Sequence, residues 1–147
     1  MTKYISKGPD ETRDVGFMLG RLLKRGDVVG LYGELGSGKT TMAKGIGKAL
    51  GIDEKDIVSA SFTIIAEYDV IPRFLHIDLY RIEKKSELDE LGLRDQLGND
   101  GISVVEWAEK ADGELPEDMI KIRLKSVGGN IREIAIEGLD EKNRDNM

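Results

Sequence analysis

Apolar residues recur along this chain with two alternating spacings, which predict two kinds of secondary structure. Apolar positions three or four residues apart predict helices, whereas short apolar runs bounded by glycine, proline or polar residues predict strands. The predicted strands cover residues 3–6, 28–32, 61–70, 73–82, 102–106, 119–124 and 131–136. The predicted helices lie between Gly8-Pro9-Asp10 and Gly26-Asp27, over residues 41–50, and from Ser86 to a break at 98–101. Strands and helices that alternate in this way indicate an α/β fold.

Two pairs of neighbouring strands are separated by turn residues alone. Ile71-Pro72 lies between the third and fourth predicted strands, and Gly128-Gly129-Asn130 lies between the last two. Short connections of this composition are typical of antiparallel hairpins. We therefore expect one hairpin in the middle of the chain and another near its end.

The segment between the second strand and the second helix has the composition of a phosphate-binding loop. It reads Gly33-Glu34-Leu35-Gly36-Ser37-Gly38-Lys39-Thr40 and fills the pattern G-x-x-x-x-G-K-[ST]. Glycines let the backbone turn with its N–H groups facing inward, which together with a helix N-terminus suits phosphate oxygens. Lys39 would bring a positive charge to the phosphates, and the Thr40 hydroxyl would complete the ligands of a Mg²⁺ ion. The chain is therefore expected to bind a nucleoside triphosphate.

A phosphate loop placed between a strand and a helix predicts a P-loop NTPase-like fold. We expect an α/β three-layer sandwich with a mixed, largely parallel central sheet and antiparallel hairpins. The chain of 147 residues has the size of one domain, and no internal repeat or low-complexity linker divides residues 1–147. Residues 139–147 are mostly charged or amide, and we expect a frayed tail there.

A phosphate loop needs an acidic residue at the end of a neighbouring strand, to hold the magnesium shell or to polarise water. Asp78 lies on the predicted strand 73–82, where alternation places it on one face with His76 and Tyr80. Glu106 ends the apolar strand 102–106 and is the better candidate by pattern alone. The sequence leaves open which of the two carboxylates contacts the metal directly.

The polar residues near these strand ends also have structural interpretations. Asp78 could pair with Arg81 or cap a turn. A lone histidine such as His76 is more often a hydrogen-bonded structural residue than a catalyst. Trp107, which follows Glu106, is more often packed than stacked on a base. Arg81 could stabilise charge on a phosphate or simply be solvated.

Composition narrows the chemistry further. The chain has no cysteine and a single histidine, which excludes disulfides, cysteine-ligated zinc and a histidine-rich metal site but leaves magnesium with oxygen ligands. A net charge of −6 argues against a broad surface for nucleic acid, so we expect any RNA contact to be indirect or local. No apolar stretch reaches the length of a membrane span, and the first residues lack a signal-peptide core. We therefore expect no membrane partner and a cytoplasmic location.

Several further short motifs follow one another along the chain. Besides the phosphate loop, the chain contains Ser59-Ala60-Ser61-Phe62-Thr63, His76-Ile77-Asp78-Leu79-Tyr80-Arg81, Glu90-Leu91-Gly92-Leu93-Arg94-Asp95 and Glu106-Trp107. In order and composition they resemble the S-P-T-[FY]-T, H-x-D-L-Y-R, E-L-G-L-x-[DE] and E-W motifs of the bacterial TsaE family, also called YjeE. At two positions the chain departs from the family, because Ala60 replaces the usual proline and Ser61 the usual threonine. Losing the fixed φ of proline is expected to loosen that segment.

The resemblance implies an ATPase that assists TsaB-like and TsaD-like proteins. Their joint reaction attaches a threonylcarbamoyl group to the adenosine beside the anticodon of certain tRNAs. The cofactors would be ATP and Mg²⁺, and tRNA would be contacted only indirectly, through the protein complex.

The resemblance also implies a set of site residues. Nucleotide contacts would come from the phosphate loop, the first helix and the last hairpin, through Thr12, Gly33, Gly36, Ser37, Gly38, Lys39, Thr40, Thr41 and Arg132. Thr40 and Glu106 would hold the magnesium, with Asp78 in the metal shell or beside the water. Lys39, Asp78 and Glu106 would form the catalytic set. Ser59, Ser61 and Thr63 would act as a nucleotide-sensing switch.

Other functions fit the same loop. A small phosphotransferase, such as a nucleotide or metabolite kinase, shares the loop and the magnesium, although the chain has no compact arginine cluster for a lid. A nucleotide-gated binding module would use the loop for docking, with incidental hydrolysis. A GTPase is disfavoured because the chain lacks an N-K-x-D motif and its D-x-x-G sequence, Asp89-Glu90-Leu91-Gly92, falls in a predicted helix.

Overall fold

Strands and helices alternate along the folded chain much as the sequence predicts. The computed structural model describes residues 1–57, 64–97 and 99–139, and the statements below concern those residues. The strands are β1 (Thr2–Ser6), β2 (Val28–Tyr32), β3 (Ile65–Tyr68), β4 (Phe74–Asp78), β5 (Ile102–Glu106), β6 (Ile120–Gly128) and β7 (Ile131–Glu137). The helices are α1 (Pro9–Gly20), α2 (Lys39–Ala49), α3 (Ser86–Leu91) and α4 (Leu93–Gln96), with 3-10 turns at Glu54–Asp56 and Ala108–Ala111. None of these helices combines the length and the apolar character that a membrane crossing requires.

The described strands form one mixed sheet with the order β1-β7-β6-β2-β5-β4-β3. The four central strands, β6, β2, β5 and β4, run parallel to one another. The outer strands β7, β1 and β3 pair antiparallel with their neighbours, so both predicted hairpins are confirmed. Parallel strands end at the same edge of a sheet, where ligands of α/β folds commonly bind. At this edge the register places Asp78 of β4 directly beside Glu106 of β5.

The sheet separates two apolar cores, which gives the predicted three-layer arrangement. One core lies between the sheet and the helices α1 and α2 and includes Met42 and Val104. The other lies against α3, α4 and the turn Ala108–Ala111 and includes Leu88 and Val105. Val104 and Val105 point to opposite faces of β5, as the alternation of side chains along a strand requires.

Helices α1 and α2 approach each other through glycines. A Cβ atom at Gly16 would lie 2.5 Å from the carbonyl oxygen of Met42, and one at Gly45 would lie 2.2 Å from the carbonyl oxygen of Arg13. Both distances are below van der Waals contact, so only glycine permits this spacing of the two helices. The close contact fixes α2, whose first turn directly follows the phosphate loop.

The structure differs from the predicted element boundaries at a few places. Strand β4 ends at Asp78 rather than at residue 82, because the Asp78 carboxylate accepts a hydrogen bond from the Tyr80 amide and turns the chain. The predicted third helix is interrupted at Gly92, whose φ of 66° separates α3 from α4. The second helix begins at Lys39 rather than at Thr41, inside the phosphate-loop motif itself. Residues 61–63 of the predicted third strand and residues 140–147 of the predicted tail lie outside the described residues.

Candidate functional site

The phosphate loop connects the end of β2 to the first turn of α2. Gly38, which caps the helix, has a φ of 106° in the left-handed region, and a Cβ atom at Gly33 would lie 2.5 Å from the Ser37 hydroxyl oxygen. Met42 N donates to Gly38 O over 2.9 Å in the first turn of the helix. The amide groups ahead of Met42 have no intrahelical acceptor, and such helix starts bind anions. Ser37 is 2% exposed and its hydroxyl oxygen has no hydrogen-bond partner among the described residues, so its predicted contact with a nucleotide stays a prediction.

The ammonium group of Lys39 lies within the loop rather than in solvent. Its Nζ atom donates to Gly33 O over 2.5 Å and to Glu34 O over 2.9 Å. The same atom lies 3.8 Å from the centroid of the Trp107 ring, a cation–π contact. Burial lowers the pKa of the Lys39 ammonium, although the carboxylates of Glu109, Glu106 and Asp78 act in the opposite direction.

Two polar side chains from distant parts of the chain meet at the first turn of α2. The Thr40 hydroxyl donates to Glu106, with distances of 2.9 Å to Oε1 and 3.2 Å to Oε2. Glu106 is 2% exposed, so little of its surface is open to solvent. Thr40 and Glu106 are the two residues that the resemblance assigns to a magnesium ion, and the structure brings them into contact at the start of α2. Their role as ligands of the ion stays a prediction.

Asp78 is the second buried carboxylate at this edge of the sheet, with 3% exposure. Its Oδ1 atom accepts a hydrogen bond of 2.9 Å from the Tyr80 amide, so the turn-capping role considered for this residue is present. The register on β4 and β5 also places it beside Glu106, and its side chain lines the same cleft. Structural and functional roles are therefore compatible for Asp78.

A cleft of about 380 Å³ brings these groups together at the carboxyl ends of the parallel strands. Its lining residues are Leu35, Gly36, Gly38, Lys39, Thr40, Thr41, Asp78, Tyr80, Glu106 and Trp107. Mg²⁺ prefers oxygen ligands, and the cleft offers the hydroxyl oxygen of Thr40 and the carboxylate oxygens of Asp78 and Glu106. These side chains therefore fit a magnesium ion. Within the described part of the chain, no group of three or more His, Cys, Asp or Glu side chains could hold a metal. In nucleotide sites Mg²⁺ commonly takes phosphate oxygens and water molecules as its further ligands.

Thr12 and Arg132 lie around a second, smaller pocket on the other side of the loop. This pocket of about 190 Å³ shares Gly36, Gly38 and Thr41 with the first one, so the two are adjacent. The Thr12 hydroxyl is buried and lies 2.7 Å from the Ser6 hydroxyl. The position fits the predicted contacts to the rest of a nucleotide, which stay a prediction.

The guanidinium group of Arg132 joins the last hairpin to the phosphate loop. Its Nη2 atom donates to Gly36 O over 3.0 Å, and its Nη1 atom donates to Gly129 O over 2.8 Å and to Ile131 O over 3.1 Å. Several of its donors are thus used within the protein. Arg132 consequently supports the loop directly, a role that the sequence did not indicate.

Residues 6–134 match the family model described as threonylcarbamoyl adenosine biosynthesis protein TsaE. The chain belongs to the TsaE family. The resemblance inferred from the short motifs is therefore confirmed.

Individual relatives agree with this assignment. The tRNA threonylcarbamoyladenosine biosynthesis protein TsaE of Bacillus subtilis is 40% identical over 134 residues, which cover 90% of this chain and 82% of the relative. The protein of the same name from Treponema pallidum is 36% identical over 134 residues, which cover 91% of this chain and 98% of the relative. The crystal structure of Bacillus subtilis YdiB is similar with a TM-score of 0.75 at 34% identity, over 99% of this chain and 96% of that one. The P-loop NTPase-like fold predicted from the sequence is confirmed as well.

Trp107 is another residue of this site in the TsaE-family chain whose contacts the sequence did not indicate. Its φ of 58° is unusual for a residue other than glycine, and its ring lies 5.2 Å from the Tyr80 ring and against the Lys39 ammonium. Lys110 fixes the backbone next to the Tyr80 ring, because its Nζ atom donates to the carbonyl oxygens of Tyr80 and Ile82. The adjacency of tryptophan and glutamate was visible in the sequence, but the contact with Lys39 depends on the packing of β5 beside β2.

The predicted switch residues cannot be placed in this site. Ser59, Ser61 and Thr63 lie outside the described residues, so their role stays a prediction. The three residues predicted to be catalytic, Lys39, Asp78 and Glu106, line one cleft, and their catalytic role stays a prediction.

Proposed function

We propose that this TsaE-family chain is a magnesium-dependent ATPase that acts in threonylcarbamoyladenosine biosynthesis. In this proposal it works in the cytoplasm with TsaB-like and TsaD-like proteins, which contact the tRNA. The observation that carries the proposal is the meeting of Lys39, Thr40 and Glu106 at the start of α2. That combination supplies a cation, a hydroxyl and a carboxylate at an anion-binding helix start.

Each group has a distinct part in the proposed reaction. The loop amides and the Lys39 ammonium bind the β- and γ-phosphates of ATP and orient them. Thr40 and Glu106 would hold magnesium, with Asp78 beside them, and the ion would neutralise charge that develops on the phosphates. Glu106 and Asp78 are almost completely buried, so their carboxylates keep a fixed orientation.

Slow hydrolysis by the isolated chain is part of the proposal. Both Glu106 oxygens already accept hydrogen bonds from Thr40, and Asp78 Oδ1 accepts one from the Tyr80 amide. These hydrogen bonds orient both carboxylates but do not activate either one as a general base, so in this proposal the completion of the site is assigned to a partner protein. A partner protein that completes the site would therefore raise the rate.

The test measures phosphate release and tRNA modification with purified chain, ATP and Mg²⁺, in the presence and absence of TsaB-like and TsaD-like proteins. We expect slow release alone, faster release with the partners, and loss of both activities in Lys39→Ala. Lys55→Ala is the matched control, since the Lys55 side chain is 81% exposed and lies on the turn Glu54–Asp56. Rapid hydrolysis without partners, or transfer of phosphate to nucleosides or small metabolites, would contradict the proposal and favour a phosphotransferase.

A second measurement separates an ATPase from a nucleotide-gated binding module. Glu106→Gln keeps the shape of the side chain but removes its charge, so it should still bind ATP through the loop amides and Lys39, with a smaller gain in affinity from Mg²⁺, while losing hydrolysis. If hydrolysis drives the reaction, Glu106→Gln abolishes tRNA modification even when the partner proteins still bind. Normal modification with Glu106→Gln would indicate that ATP binding alone is sufficient.

A further inference from the structure

His76 is a fully buried polar side chain that the proposed reaction does not use. It lies two residues before Asp78 on β4, on the same face of the strand, and its exposure is 0%. Its Nε2 atom lies 2.5 Å from Glu106 Oε2 on the neighbouring strand β5. The contact is diagonal, because His76 pairs with Val104 and Asp78 pairs with Glu106 in the register.

The surroundings of the imidazole determine which nitrogen carries the proton. Nδ1 is buried and has no hydrogen-bond partner among the described residues, and the ring lies nearly parallel to Phe74 at 6.4 Å. A proton on Nδ1 would leave a buried donor unpaired, which costs more than leaving a lone pair unpaired beside an aromatic ring. The proton is therefore on Nε2, and His76 donates to Glu106.

The Glu106 carboxylate is thus fixed from two sides. Thr40 donates from α2 and approaches Oε1 most closely, while His76 donates from β4 to Oε2. A carboxylate held by two donors cannot rotate freely about its last torsion angle. One oxygen is kept facing the phosphate loop, where the cation is expected, and the other is kept facing the core.

We propose that His76 is a positioning residue that orients Glu106 for the magnesium complex of ATP. This inference rests on the proposed function, because it assigns to His76 the task of preparing a ligand of the metal. Side chains that orient metal ligands in this way typically change metal affinity by about 10- to 100-fold when they are lost. Loss of a purely structural histidine would instead lower the stability of the fold. It would also change nucleotide affinity by the same factor with and without the metal.

The decisive pair of variants is His76→Gln and His76→Asn. The glutamine amide nitrogen can occupy the position of Nε2 and still donate to Glu106, whereas the shorter asparagine cannot reach it. Both are neutral amides, so the pair differs in reach and not in charge. Thermal unfolding of each variant identifies any general loss of stability.

The measurement is calorimetric titration of the intact chain with AMPPNP, once with Mg²⁺ and once with EDTA. We expect the gain in affinity on adding Mg²⁺ to fall by about tenfold in His76→Asn and to be largely retained in His76→Gln. Affinity in EDTA should match the wild type in both variants.

Other results would overturn the inference. If His76→Asn keeps the full magnesium effect, or loses affinity equally in EDTA and in Mg²⁺, His76 has only a structural role. Failure of glutamine to restore the effect would also exclude orientation through Nε2. If the wild-type chain itself does not bind AMPPNP with Mg²⁺, the proposed function fails, and this outcome is distinct because it does not depend on any His76 variant.

Discussion

At the scale of single residues, the state of Lys39 is the property most directly linked to nucleotide binding. Two backbone carbonyl oxygens and the Trp107 ring surround its ammonium group. Carbonyl dipoles and an aromatic face balance only part of a full positive charge. The ammonium therefore remains available to a polyphosphate, and burial has already made its protonated form less stable than in water.

Affinity for AMPPNP should decrease as the pH rises through the pKa of Lys39. Because that pKa lies below the ordinary value of 10.5, the loss should begin earlier than for an exposed lysine. Only the protonated side chain attracts phosphate, so affinity is complete below this pKa and falls by up to about tenfold per pH unit above it. Calorimetric titrations from neutral pH up to the ordinary lysine pKa of 10.5 measure this profile.

Lys39→Arg is the control for this pH profile, because arginine stays protonated over the whole range. The AMPPNP affinity of Lys39→Arg should therefore lack the decrease at high pH that we expect for the wild type, whatever the absolute affinity of the variant. A wild-type profile that is flat up to about pH 10 would show that the charge of Lys39 is not titrated in this range.

At the scale of elements, the contact between α1 and α2 holds the phosphate loop in place. Gly16 and Gly45 let the helix backbones approach more closely than any side chain would allow. Since α2 starts within the loop, a change in the position of this helix would move the groups that hold the phosphates. Strand β5 pairs with β2 and β4 in the sheet, and its last residue, Glu106, lies at the first turn of α2.

Gly45→Ala should destabilise the protein, although alanine normally favours a helix by up to about 1 kcal/mol over glycine. The added Cβ atom would lie 2.2 Å from the Arg13 carbonyl oxygen, and overpacking of this kind typically costs about 1 to 3 kcal/mol or more. Urea unfolding measures the change in the free energy of unfolding. Gly8→Ala is the control, since its φ is 179° and a Cβ atom there meets nothing within 4 Å. An unchanged or higher stability of Gly45→Ala would contradict the tight packing of the two helices.

At the scale of the whole molecule, the negative charge of the chain limits how it can take part in tRNA modification. The net charge is −6, with 28 acidic residues against 22 Lys and Arg. Binding to nucleic acid depends on neutralising phosphates with clustered cations, and an overall negative field opposes it. A role near tRNA is compatible with this charge if partner proteins supply the RNA-binding surface.

We therefore expect the isolated chain not to bind tRNA at about 150 mM salt, with or without ATP. Electrophoretic mobility of tRNA, followed while micromolar protein is added, measures this directly. TsaB-like and TsaD-like proteins should retard the tRNA, and the chain should join that complex. A shift caused by the chain alone, weakened steeply by added salt, would show a direct electrostatic RNA contact instead.

Local patterns in the sequence were sufficient for the loop, most of the elements and the two hairpins. Gly33 and Gly38 occupy positions where the backbone conformation or the close packing requires glycine. Both belong to one continuous motif, so the sequence alone reveals them. The boundaries of β4 and of the third predicted helix were less predictable. They depend on one side-chain hydrogen bond from the Tyr80 amide and on the left-handed conformation of Gly92.

The sequence by itself determined which chemical groups are present: a phosphate loop, two candidate carboxylates on predicted strands and a family-specific order of motifs. Only the tertiary structure decided how they meet, because β5 lies between β2 and β4 and brings Glu106 to Thr40, which is 66 positions away. The contacts of His76 with Glu106, of Trp107 with Lys39 and of Arg132 with Gly36 have the same origin. Periodicity reports the face on which a side chain lies, but strand order and register determine its neighbours across the sheet.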